Sequence, residues 1–395
     1  MELDNRSLAY IVAELQKFNF QETASDIKGE AYEEIVSATS RRDQGAFFTP
    51  RNVCDMAVGI VLATYREDQR LRLKILDPAC GTGGFLRAAL IQLRQIIAAQ
   101  TASKWRGNKQ RADQETSERV KRICDDNLYG IDKLAELVRA SQMNLAMHGD
   151  GSSNIYHTNS LLLPGEWPDN VRSGAIDTDS FDIVFTNPPF GSRLIIDDAH
   201  ILDQFELSRT EAKSPRSSLP PEQIFVERCL DFLKPGGRMA IVLPDSILSN
   251  PGLAFIRRWV LRNAYIIASI DLPRMTFAKS DTHTMTSVLV LQKFTHEERR
   301  FVAEVGHPPE YDIFMAIIDN VGWDLRGNPV FIRTPEGEEI LFKTSRVVSA
   351  RNAHGDVIET IREVEEPMLD NQLPAITELF TEWLAEGLPR RWMHD

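Results

Sequence analysis

The sequence predicts an α/β chain organised around a mostly parallel, doubly wound sheet, and three observations carry that prediction. From residue 73 onward short apolar runs recur, each followed by a turn and then by apolar residues at helical spacing. The runs are apolar throughout rather than alternating, which is how strands read when helices cover both faces of a sheet. A length of 395 residues is enough for one large α/β core with flanking segments.

Residues 6–20 place Leu8, Ile11, Val12, Leu15 and Phe18 on one helical face, and a second helix is expected over about 29–40. The expected strands are 73–76, 127–131, 181–186, 238–243, 265–270 and 287–291, with helices over 85–99, 133–147, 224–233 and 253–262. Two stretches interrupt the rhythm. Residues 101–122 carry seven basic side chains from Lys104 to Arg122 among acids and few apolar residues. Residues 192–222 carry mixed charge and then the run SPRSSLPP, which reads as a loop. Each reads either as a solvated excursion or as a functional loop. Past 296 the pattern weakens until a helix resumes near 363–384. The expected division is a short helical segment over 1–44, the α/β domain over 45–295, and an acidic C-terminal extension over 296–395.

Charge supports that division. The chain holds 45 Lys+Arg against 57 Asp+Glu, a formal charge of −12. Residues 296–395 contribute 10 basic and 20 acidic side chains, whereas residues 1–295 contribute 35 and 37. A self-sufficient nucleic-acid binder would show an overall basic footprint, and this chain lacks one. No apolar run approaches the ~20 residues of a membrane span, and the polar N-terminus does not resemble a signal peptide. Cys54, Cys80, Cys124 and Cys229 form no metal-ligand spacing, and His148, His157 and His283 read as structural. A cytoplasmic chain without a metal or disulfide framework is expected.

The strongest local feature is Asp77-Pro78-Ala79-Cys80-Gly81-Thr82-Gly83-Gly84-Phe85-Leu86, where a strand ends in an acid and a glycine-rich turn opens a helix. Gly81, Gly83 and Gly84 allow a tight bend and close approach to a ligand, which points to a nucleotide-type site. A second strand, Leu128-Tyr129-Gly130-Ile131-Asp132, ends in an acid at the position that hydrogen-bonds ribose in doubly wound nucleotide folds. Asp132 lies further from the glycines than in dinucleotide enzymes, and the 101–122 stretch accounts for the difference. The third feature is the strand 181–186 running into Asn187-Pro188-Pro189-Phe190. Two prolines remove two donors and end the sheet there, so the Asn side chain and nearby carbonyls project at the carboxyl edge, where open α/β sheets bind ligands.

In combination these motifs resemble the S-adenosyl-L-methionine-dependent amino-methyltransferases, and within them the DNA adenine-N6 branch. Gly45-Ala46-Phe47-Phe48-Thr49-Pro50 is similar to that branch's further cofactor element, and its place ahead of the glycine loop matches the gamma order of motifs. The stretches 221–229, 233–238, 242–248, 286–289 and 321–329 are similar to the methylation subunits of type I restriction–modification systems. The resemblance implies the class I, Rossmann-like methyltransferase fold. It implies a cofactor site at Ala46, Phe47, Phe48, Thr49, Asp77, Gly81, Thr82, Gly83, Gly84, Phe85, Asp132 and Asn159, the last standing where the family often has an Asp at the cofactor's adenine. It implies that Asn187, Pro188, Pro189 and Phe190 carry the chemistry on a flipped adenine.

That implication is chemically coherent. An exocyclic adenine amine is a poor nucleophile because its lone pair is delocalised into the ring. Acceptors at the Asn187 side-chain oxygen and the Pro188 carbonyl would hold both N6 hydrogens and favour a tetrahedral nitrogen, so positioning and electrostatics carry the reaction without a metal. Phe190 would stack on the flipped base, offsetting part of the few kcal/mol that flipping costs. The acidic tail reads either as a solvated cap or as a docking surface for a separate specificity subunit, which would supply base readout. A second methylation subunit and a restriction subunit belong to the same implied assembly. Two alternatives stay open: methylation of a protein glutamine amide, and a non-catalytic cofactor-binding scaffold.

Overall fold

The computed structural model describes residues 48–149, 154–172, 176–191, 194–210, 214–280, 284–351 and 357–386, besides the isolated positions Ala9 and Ala13. The helices expected over 6–20 and 29–40, and the cofactor candidates Ala46 and Phe47, lie outside the described residues.

Helix α1 (Arg51–Ala63) follows the extended Pro50 and buries Val53, Cys54, Met56, Ala57, Ile60 and Val61. Strand β1 (Ile75–Asp77) is buried at every position, and α2 (Gly84–Lys104) leaves it after the glycine turn. The 101–122 stretch is helical rather than a loop: α2 runs to Lys104 and α3 (Lys109–Asp126) folds back on it. The Asn108 side chain caps α3 by accepting from the Arg111 N–H at 3.1 Å. Ala112, Thr116, Val120, Ile123 and Cys124 form its buried stripe, and the Thr101 and Thr116 hydroxyls meet at 2.7 Å. The many charges hide a stripe that is apolar only every third or fourth residue.

Strand β2 (Leu128–Asp132) pairs parallel with β1, and α4 (Ala135–Gly149) leads to β3 (Ile155–His157), a three-residue strand too short for its pattern to show in the sequence. Strand β4 (Phe181–Thr186) lies on the other side of β1. Residues 194–210 and 214–220 are largely irregular, as expected, with one helical turn at Ala199–Leu202. Then come α5 (Pro221–Phe232), β5 (Leu233–Pro244), α6 (Ala254–Asn263), β6 (Ala264–Leu272), β7 (Thr286–Lys293) and α7 (His296–Val305).

The sheet order is β3-β2-β1-β4-β5-β7-β6, extended past residue 295 by β8 (Phe314–Ile317) beside β6. Every pairing is parallel except those of β7, which runs antiparallel between β5 and β6. One apolar core lies on the α1–α2 face of the sheet and a second on the α5–α6 face. The C-terminal region departs from expectation. Residues 363–367 belong to a strand, not to a helix: β9 (Leu341–Arg351) and β10 (Val357–Pro367) form a two-stranded antiparallel ribbon that pairs with no other strand among the described residues. Helix α8 begins only at Leu373 and ends at Ala385. It buries Leu373, Ile376 and Phe380 against α1, and Phe314 of β8 meets Phe380 and Trp383 at ring distances of 5.2 and 5.5 Å. Among the described residues no helix is long and apolar enough to cross a membrane.

Candidate active site

The carboxyl ends of β1, β2, β3 and β4 converge on a cleft of about 370 Å³. Each strand delivers one of the motifs. Gly81 comes from the turn after β1, Asp132 ends β2, Asn159 follows β3, and Asn187, Pro188 and Pro189 follow β4; all line the cleft, as does Phe48 ahead of α1. Five segments far apart in sequence are thereby placed around one space.

The Asp132 carboxylate ties the site together. Oδ2 accepts from the Gly81 N–H and Oδ1 from the Leu134 N–H, both at 2.9 Å. With two of about four lone-pair sites used, it retains capacity for hydroxyl donors. Burial raises its pKa, against the lowering by those N–H groups. Asp77 does not line the cleft. It is fully buried behind the turn, where Oδ1 accepts from the Ala79 N–H at 3.1 Å, and burial pushes its carboxyl up to about 8.

The glycine turn divides its work. Gly81 has φ +53° and open space where a Cβ would stand, so it presents bare backbone to the cleft. Gly83 has φ +83°, and a Cβ there would sit 2.5 Å from the Ser141 hydroxyl. Its constraint is packing against α4. Thr82 is buried, its carbonyl accepting from the Asn144 amide at 3.0 Å, and Phe85 stacks on Phe185 with centroids 5.9 Å apart. A Cβ on Gly84 would lie 3.3 Å from the Cys54 sulfur, which itself donates to the Thr49 carbonyl. Thr82, Gly83, Gly84, Phe85 and Thr49 therefore stand around the cleft rather than on its wall. Phe190 is also off the wall: it is 1% exposed, with its ring edge-to-face with Phe277 at 6.3 Å.

The cleft contains residues that sequence reasoning missed. Pro78, Ala79, Lys133, Leu134, Leu137, Ser160 and Leu161 line it, with the Ser160 hydroxyl donating to the Pro78 carbonyl. Leu194, Ile195, Ile196, Pro221 and Phe225 line it as well. An available signal was the apolar triplet 194–196 inside an otherwise charged loop. The backbone exchange between Ile196 and Leu219, at 2.8 and 3.0 Å, pins that triplet in place. Glu227 of α5 fixes the same loop by accepting from the Glu206 and Leu207 N–H groups at 2.8 and 2.9 Å.

The cleft is mostly apolar with a few convergent polar groups, the form of a small-molecule site. Comparison with known proteins places the fold. A protein from Listeria monocytogenes described as a class I S-adenosylmethionine-dependent methyltransferase superposes with a TM-score of 0.53 at 18% identity, covering 80% of each chain. The methyltransferase subunit of a type I restriction–modification system from Streptococcus thermophilus superposes with a TM-score of 0.52 at 23% identity, over 73% of this chain and 54% of that one. The fold is therefore that of the class I S-adenosylmethionine-dependent methyltransferases. Among curated proteins, the type I restriction enzyme EcoEI methylase subunit of Escherichia coli is 26% identical over 298 residues, 72% of this chain and 50% of that protein. The EcoKI methylase subunit of Escherichia coli K12 is 26% identical over 272 residues, 68% of this chain and 44% of that protein. The chain thus spans about half the length of these relatives. The family model for N-6 DNA methylases matches residues 23–313, well over half of the chain, and the chain belongs to the N-6 DNA methylase family.

Proposed function

We propose that the chain binds S-adenosyl-L-methionine in this cleft and transfers its methyl group to N6 of a flipped adenine in DNA. It would act as the catalytic subunit of a type I-like restriction–modification or related defence system, with sequence read by a separate specificity subunit. The observation that carries this reading is the convergence of Gly81, Asp132 and the Asn187–Pro189 segment on one cleft at the carboxyl edge of the sheet.

The residues present fit such a cofactor. Gly81 leaves room for it, Asp132 can accept from ribose hydroxyls, and Leu134, Leu137 and Phe48 offer apolar surface to a base and a methionine chain. The bound cofactor supplies a methyl group made electrophilic by a sulfonium. The chain's part is to hold the acceptor. The Asn187 side-chain oxygen and the Pro188 carbonyl would accept the two N6 hydrogens, keeping the nitrogen lone pair directed at the methyl. The rigid Pro-Pro pair fixes those acceptors. Stacking by Phe190 requires its ring to present a face, so base entry would turn it out of the contact with Phe277.

The test is transfer of a tritiated methyl group to DNA by the chain reconstituted with a specificity subunit. Asn187→Ala is expected to reduce transfer by about 100-fold or more, the cost of removing one preorganised catalytic group. Full activity in that variant would overturn the mechanism. Label appearing on a protein amide, with the DNA unmodified, would overturn the substrate.

A further inference from the structure

We propose that Asn159 meets the base of the bound nucleoside as a hydrogen-bond donor, so that a ring nitrogen of the purine, and not its exocyclic amine, is the group read at this position. The proposal rests on the cofactor reading above and specifies how its base is recognised.

Asn159 sits two residues past the end of β3. The Thr158 N–H donates to the Asp132 carbonyl at 3.1 Å, which holds the segment beside the ribose-binding candidate. Its amide has a defined orientation. Oδ1 accepts from the Leu161 N–H at 3.1 Å, while its main-chain carbonyl accepts from the Leu162 N–H and the Trp167 indole N–H, each at 3.1 Å. Reversing the side chain would set the NH2 against the Leu161 N–H, donor against donor, so the network assigns the oxygen to the turn. The NH2 makes no hydrogen bond among the described residues, and Asn159 lines the cleft. The side chain thus offers its donor end to a ligand.

A carboxylate at this position would behave differently. One oxygen could close the turn onto Leu161 while the other accepted from a purine 6-amino group. The amide replaces that second acceptor with two donors. Facing adenine, a donor finds acceptors only at the ring nitrogens, because the exocyclic amine has no available lone pair. Leu134, Leu137 and Leu161 line the same cleft. In such apolar surroundings an unmatched polar group is costly, which gives the choice of partner its weight.

The test is calorimetric titration of the full chain with two thioethers, S-adenosylhomocysteine and its analogue lacking the 6-amino group. The wild type is expected to bind the two within about threefold of one another. Asn159→Asp is expected to favour the amine-bearing ligand by about tenfold or more, because the carboxylate regains an acceptor. Asn159→Ala is expected to weaken both ligands by a similar factor, about 3- to 10-fold. Thermal melts establish that each variant is folded, and the Ala substitution carries the test if the Asp variant is not. A wild-type preference of tenfold or more for the amine-bearing ligand, lost in Asn159→Ala, would overturn the proposal, since the amide oxygen would then be reading the amine. Ligand affinities indifferent to both substitutions would overturn it as well. Failure of the wild type to bind either thioether is a different result and would overturn the cofactor reading itself.

Discussion

Gly81 and Gly83 share a left-handed backbone, yet a methyl group added to each should fail in different ways. At Gly83 the new Cβ meets both the positive φ and the Ser141 hydroxyl at 2.5 Å, so Gly83→Ala is expected to destabilise the fold by about 2–3 kcal/mol, read by thermal or denaturant unfolding. At Gly81 only the φ is strained, so Gly81→Ala is expected to cost about 1 kcal/mol of stability while its methyl group projects toward the ligand space. Calorimetry with S-adenosylhomocysteine should show the larger relative loss of binding for Gly81→Ala. The glycine pattern marked this turn from the sequence alone. It could not say which glycine faces the cleft and which faces Ser141, because that depends on α4, some sixty residues away in the chain. Asn159 illustrates the same limit: its place was legible, but the direction of its amide follows from the turn that Leu161 closes.

At the scale of elements, strands with strong apolar runs were legible to within a few residues, and so were the helices that follow them. Helices α1 and α7 were also missed, and three of the other misses have a clear physical cause. Strand β3 has three residues, α3 hides its apolar stripe among charges, and β8 alternates, with Met315 and Ile317 about three-quarters exposed. The β9–β10 ribbon lies in a stretch whose apolar pattern is weak in the sequence. Helix α8 is the opposite case: its three buried residues join the core beneath α1. Phe380→Ala is expected to cost about 3–5 kcal/mol by opening a cavity between α1, β8 and α8. Replacing residues 343–365 with a short turn is expected to change stability by less than about 0.5 kcal/mol, because among the described residues the ribbon strands pair only with each other. Both predictions are checked by chemical denaturation.

Across the whole molecule, burial has loaded the fold with acids that hold protons in the folded state. Burial raises Asp77 from an ordinary value of 3.8 to about 8, and Glu222 and Glu227 from 4.5 to about 7. These groups bind protons more tightly folded than unfolded. Their contribution is complete below their ordinary values and is lost as pH rises through about 7 to 8. The melting temperature is therefore expected to fall between pH 6 and pH 8.5, and Asp77→Asn should flatten that slope. A flat or rising profile in the wild type would contradict it. Charge is distributed as unevenly in space as in sequence. Helix α2 spans about 31 Å from the cleft, so the basic residues of the α2–α3 hairpin lie at the far end of the sheet from Asn187. Under the proposed function, the chain alone is expected to show little affinity for DNA at physiological salt, measured by fluorescence anisotropy, and to gain it with a specificity subunit.

The β9–β10 ribbon, paired with no other strand among the described residues, has one more consequence. Proteases take their substrates as extended chain with an accessible backbone edge, and β9 and β10, paired with each other, each leave one edge unpaired with any other described strand over 11 residues, about 36 Å. Limited digestion should cut there before it reaches the main sheet. The severed C-terminal piece would not leave, because Leu373, Ile376 and Phe380 keep α8 seated under α1. A nicked protein should therefore elute as one particle on size exclusion and separate into two fragments only in denaturant.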